Sequence, residues 1–233
     1  RTVKEVEELS AHQVDFYQCP GCMTVATFEG SVLAGDGQQL YVLNPDLTVK
    51  EVWPIPAKRI FVAEDFAIQQ HGTFDMAFVV QPGGEVTLMT LKVPELQDDE
   101  GHYVASGAAP RFMKLGSFWL PPPTNQPPGD GDPTTIIRDM AFDAKRFLAY
   151  AATADGLYTV DLSDLVSDYC AQENYESVYP VIGHTPVFET PSYQQTEFTR
   201  ITLSRDGRYL FVGDGADLGP GRELDEESAL FTV

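Results

Sequence analysis

The pentapeptide Thr2-Val3-Lys4-Glu5-Val6 recurs verbatim as Thr48-Val49-Lys50-Glu51-Val52. A β-type pentapeptide used twice in one chain points to a repeated supersecondary unit. The rest of the sequence agrees. Short runs rich in β-branched and aromatic residues alternate with Gly, Asp and Pro turn signals, and helical spacing is confined to Glu5–Ser10 and Leu162–Tyr169. Such punctuation predicts an all-β fold.

The runs also fall into register. Thr24–Phe28, Phe74–Val80, Ile136–Phe142 and Phe198–Leu203 each read as the first strand of a unit. Ser31–Ala34, Glu85–Leu91, Phe147–Ala152 and Arg208–Val212 read as the second strands, and Gln39–Leu43, Gly156–Val160 and Ala229–Val233 as third strands. The second unit is less regular, and its Met89-Thr90-Leu91-Lys92 run suits either strand. The units cover about 19–56, 57–120, 134–183 and 196–233. A period of roughly 45–65 residues with several strands per unit is the mark of a β-propeller. Thr48–Val52 then supplies the fourth, outer strand of the first blade. Thr2–Val6 should be an outer strand as well, completing the last blade or a missing one, since a ring closed in this way hides its sheet edges. Two arrangements remain: a closed small ring of about four blades, or part of a six- to eight-bladed ring. The apolar, strand-like ending Ala229–Val233 favours the second.

Two of the units carry a resemblance. Ile201-Thr202-Leu203-Ser204-Arg205-Asp206-Gly207-Arg208-Tyr209-Leu210-Phe211-Val212-Gly213 resembles the repeat of YVTN-type propellers, and Ala149–Asp164 is similar to the related LVIVD-type repeat. Locally, Asp206-Gly207 makes a tight hairpin turn because glycine tolerates positive φ. The resemblance implies a propeller blade and no particular chemistry. The wider family includes lactonases, dehydrogenase heavy chains, surface-layer proteins and scaffolds, and no position here matches an active-site motif of any of them.

Charge narrows the partners. The 233 residues carry 15 Lys+Arg against 35 Asp+Glu, a net charge of −20. Nucleic acid and anionic membrane surfaces need a basic face, so the charge argues against a nucleic-acid partner and disfavours an anionic membrane. No apolar run reaches the roughly 20 residues of a membrane-spanning helix. Cys19 and Cys22, in Cys-Pro-Gly-Cys, lack a second ligand pair for zinc and a following helix for thioredoxin-type chemistry. They read as a disulfide staple, which places the protein in an extracellular, periplasmic or cell-surface setting. No Asn-x-Ser/Thr sequon is present to support that placement.

Several groups could carry function. His12, His71 and His184 lie in segments expected to approach the propeller axis, where imidazoles could converge on copper or zinc. Their unequal spacing from the blades argues against a symmetric site. Asp214, Asp217, Glu223 and Asp225 could supply oxygens to Ca²⁺ from one acidic loop, although they do not follow the EF-hand pattern. A carbohydrate-binding propeller would need exposed tryptophans, and only Trp53 and Trp119 are available. The long segments Pro94–Arg111, Trp119–Thr135 and Tyr169–Gln195 offer Tyr169, Tyr175, Tyr179, Phe188 and Tyr193 as contact area for a protein partner or for self-association, unless these rings pack inward. The expected role is a non-catalytic propeller scaffold. The alternative is a propeller enzyme, either a metal-dependent oxidoreductase or a lactonase-like hydrolase.

Overall fold

The computed structural model describes residues 21–68, 72–92, 95–97, 99–100, 103–121, 137–153, 156–170, 176–186, 198–214 and 229–232. Strands β1 (Thr24–Phe28), β2 (Ser31–Gly35), β3 (Leu40–Leu43) and β4 (Val49–Trp53) form an antiparallel sheet in sequence order, blade one. Blade two contains β5 (Arg59–Ile68), β6 (Gly72–Val80), β7 (Glu85–Lys92) and β10 (Arg111–Trp119). A hairpin of β8 (Glu95–Gln97) and β9 (Tyr103–Ala105) interrupts it within the segment read as a polar loop. Blade three orders β11 (Asp139–Asp143), β12 (Leu148–Ala152), β13 (Gly156–Asp161) and β14 (Val181–Pro186), with helix α1 (Leu165–Cys170) between its last two strands. Blade four shows β15 (Phe198–Leu203), β16 (Tyr209–Asp214) and β17 (Ala229–Thr232).

The first strands β1, β5, β11 and β15 neighbour one another in that order, as the inner strands of consecutive propeller blades do. The fold is an all-β propeller of about four blades. Thr2–Val6, the expected completing strand, lies outside the described residues, as does Glu5–Ser10.

Period-two alternation builds the contacts between blades. Along β6, Ala77 and Val79 turn towards blade one, where they meet Phe28, Leu33, Leu40 and Val42. Met76, Phe78 and Val80 turn the other way, onto Met140, Ala149 and Ala151 of blade three. Ile201, Leu210 and Val212 of blade four close on Ala141, Tyr150, Ala152 and Leu157. Aromatic pairs cross two of these junctions: Phe28–Phe112 at 5.8 Å and Phe78–Phe142, stacked at 4.3 Å.

The strand frame of blade two differs from the sequence expectation. Phe74–Val80 lies in the second strand, not the first, and Glu85–Leu91 in the third, not the second. The overlooked first strand is β5. A bulge between Ala63 and Phe66, with Asp65 at φ 64°, breaks its alternation, so it does not read as one strand.

Three hairpin turns share one device. Asp36 accepts from the Gln39 and Gln38 amides at 2.7 and 2.8 Å, and Asp46 from the Thr48 hydroxyl and amide at 2.6 and 3.0 Å. Asp206 accepts from the Ser204 hydroxyl at 2.6 Å and from the Arg208 amide at 3.2 Å. These donors hold all three carboxyls below the usual aspartate range. Because the folded pKa values are depressed, the turns' contribution is complete above the unfolded value of about 3.9 and is lost as pH falls through the folded values. Carboxyl NMR titration of the folded protein should therefore give three midpoints below about 3.9. Midpoints at or above that value would show that the turns do not hold the carboxylates.

Candidate functional site

The most elaborate local construction joins blades two and three at the outer rim. It begins with α1, which follows β13. Two of its side chains turn inward: Asp168 is 2% exposed and Tyr169 7%. The Tyr169 ring stacks on Phe74 of blade two at 4.2 Å, and the Lys92 ammonium lies 4.6 Å from its centre while donating to the Tyr169 carbonyl at 2.5 Å. The charge of buried Lys92 is thus met by a carbonyl and a ring face.

Residues 176–180 then run alongside β10 as a strap. The Ser117 amide donates to the Ser177 carbonyl at 2.8 Å, and the Tyr179 amide donates to the Ser117 carbonyl at 2.9 Å. Together they form a parallel bridge centred on Val178. Gly116 makes the approach feasible. It sits at φ 141°, and a Cβ placed there would lie 2.4 Å from the Ser177 carbonyl oxygen. Tyr179 plunges inward, with its hydroxyl 3.0 Å from the Leu115 carbonyl and 2.6 Å from Asp168 Oδ2. The Ser177 hydroxyl donates to the other Asp168 oxygen at 2.9 Å. Burial, together with the adjacent Asp168 carboxylate, drives the Tyr179 hydroxyl far above its ordinary pKa, so it remains a proton donor at any physiological pH.

With Tyr179 directed inward, its neighbour Val178 must point outward, and it is 66% exposed. Trp119, at the end of β10, is 50% exposed. With Leu120, Pro121, Pro180 and Val181 they line an open groove of about 640 Å³. The lining is mostly apolar, and the hydroxyl of its one tyrosine, Tyr179, is committed to Leu115 and Asp168, so the groove suits contact.

This arrangement corrects part of the sequence reading. Tyr169 and Tyr179, expected to face a partner, are buried anchors, because each ring finds an aromatic or polar partner beneath the rim. Tyr175, Phe188 and Tyr193 lie outside the described residues. Of the three histidines, His184 is on β14 and stacks on Tyr158 at 4.3 Å, while His12 and His71 lie outside the described residues. Among the described residues no three His, Cys, Asp or Glu side chains are grouped as a metal would require. The backbone of Asp214 ends β16, and Asp217, Glu223 and Asp225 lie outside the described residues, as does Cys19 of the expected staple to Cys22. At this rim, the described aromatic side chain that reaches solvent is Trp119. Its sequence signal was a tryptophan ending an alternating strand immediately before Leu120-Pro121, at the start of a long insertion.

No protein-family model matches the sequence, and no curated protein matches it. Among solved structures, the chain is similar to a complex of KlAtg21 with the coiled coil of AgAtg16, at 10% identity and TM-score 0.41, over 84% of this chain and 50% of that one. It is also similar to KlHsv2 with loop 6CD replaced by a Gly-Ser linker, at 10% identity and TM-score 0.42, over 82% of this chain and 48% of that one. A third is the β-propeller domain of Cps50 (Swd1) from Myceliophteria thermophila, at 12% identity and TM-score 0.37, over 86% and 66%. The chain therefore spans about half the length of the first two structures and 66% of the third.

Proposed function

We propose that this chain is a non-catalytic interaction module, built from YVTN/LVIVD-type blades and belonging to an extracytoplasmic or cell-surface assembly. It holds an apolar stretch of a protein partner in the rim groove between blades two and three. One observation carries the reading. Trp119 and Val178 stand exposed side by side on a frame fixed from below by the Tyr179–Asp168–Ser177 hydrogen bonds. An exposed tryptophan on a rigid support is the side chain through which protein interfaces concentrate binding energy. The excess of 35 acidic over 15 basic residues selects a partner whose apolar core is flanked by Lys or Arg.

A phage-displayed random peptide library panned against the native chain tests this. Selected peptides should combine apolar residues with flanking basic ones. Trp119→Ser should weaken their binding by more than about thirtyfold without lowering the melting temperature. Peptides that bind the Trp119→Ser protein as well as the native one would refute the groove as the contact site.

A further inference from the structure

A peptide entering the rim groove brings backbone groups of its own, and these need either partners or water. The strap has few partners to offer. Its edge towards β10 is occupied, since the Tyr179 amide donates to the Ser117 carbonyl and the Ser177 carbonyl accepts from the Ser117 amide. Its other edge ends at Pro180, which has no amide and whose carbonyl accepts from the Asp161 amide at 2.9 Å. Val181, the next residue, is paired with Val160 of β13. A guest strand added here would find a ladder of one or two residues, shorter than the roughly 3–10 residues of ordinary strands.

The side chains suit a different shape. Half of the lining consists of rings: Trp119, Tyr179, Pro121 and Pro180. An amphipathic helix is about 10–12 Å across and is held by large side chains entering pockets one turn apart. An open groove walled by rings gives those side chains little to enter. A polyproline helix needs neither a ladder nor deep pockets. Its backbone makes no internal hydrogen bonds and stays solvated. Its proline rings are short and flat enough to lie on an aromatic face, and its fixed φ leaves little entropy to lose on docking. The half-exposed Trp119 indole can donate its N–H to one of the guest's carbonyls.

Charge borders the same groove. Glu85 of β7 is the direct cross-strand partner of Trp119, so the two side chains share one face. Glu176 is exposed and lies two residues before Val178, on the side of the strap that Val178 also takes. The basic residues of β10, Arg111 and Lys114, lie in the half of the strand away from Trp119. We infer, on the footing of the rim-groove reading, that the partner presents a proline-rich segment in the polyproline conformation, bordered by Lys or Arg that meet Glu85 and Glu176.

Fluorescence anisotropy with three labelled peptides tests this on the native chain. The first has the core Pro-Pro-Leu-Pro-Pro-Leu between paired lysines. The second replaces every proline with alanine, which favours a helix. The third keeps the core and replaces every lysine with glutamate. The first should bind, and the second should bind about tenfold more weakly or worse. Glutamate ends should weaken binding by about twofold to fivefold for each charge pair lost, and Glu85→Gln combined with Glu176→Gln should shrink that difference. Equal or tighter binding of the alanine peptide, still lost in Trp119→Ser, overturns the polyproline assignment and leaves the groove reading with a helical guest. No binding of the first peptide at about 1 mM, while library-selected peptides do bind, also overturns the assignment alone. Equal binding of lysine-ended and glutamate-ended peptides overturns the basic border. Binding of the first peptide that Trp119→Ser leaves unchanged overturns the groove reading itself.

Discussion

Tyr179→Ala is expected to destabilise the protein by about 3–5 kcal/mol, the range for deleting a large buried aromatic side chain. The ring is 2% exposed, and its hydroxyl is shared between the Leu115 carbonyl and Asp168. Removing it opens a cavity between blades two and three and deprives a buried carboxylate of a donor. Tyr179→Phe separates the two effects. It keeps the ring and should cost about 1–3 kcal/mol through the hydrogen bonds alone. Urea unfolding followed by circular dichroism measures both, provided that the slope is unchanged between variants. A loss below about 1 kcal/mol for the alanine variant would mean that the strap is not anchored through this residue.

Gly116→Ala should rank second, at about 2–4 kcal/mol, from a positive-φ conformation that side chains resist and from overpacking. The added Cβ would lie 2.4 Å from the Ser177 carbonyl oxygen and 2.8 Å from the Tyr179 ring. The nearer atom is backbone, so relief requires the strap to move off β10. Trp119 reports that movement, since its neighbour in the groove is Val178 of the strap. In a Trp53→Phe background, the emission of Trp119 should shift to longer wavelength in the alanine variant. An unshifted spectrum with full stability would show that the strap accommodates a side chain at position 116.

Much of the architecture was legible from the residues. The third strands of blades one, three and four lie where Gln39–Leu43, Gly156–Val160 and Ala229–Val233 predict, because alternation in short runs between turn residues is a local signal. Helix α1 overlaps the Leu162–Tyr169 spacing but begins at Leu165 and ends at Cys170. β5 escaped because its bulge breaks the alternation on which such a reading depends. The rim site was half legible. Its segments were marked as contact loops with the alternative that their rings pack inward, and Tyr169 and Tyr179 do pack inward. Aromatic type alone does not reveal which way a residue points. That direction is set by partners far along the chain, such as Phe74 for Tyr169 and Leu115 for Tyr179, 64 residues away.

That distance has a meaning during synthesis. The edge of β10 is paired only once the strap has been made, about 60 residues after β10 itself. At the roughly 5–20 residues per second of a ribosome, blade two waits for about 3–12 s with its outermost backbone groups open to any strand that passes. Chaperone engagement, or pairing with a neighbouring nascent chain, therefore has a defined interval in which to occur. It closes when Val178 clears the exit tunnel, and a translational pause placed between the two segments would lengthen it.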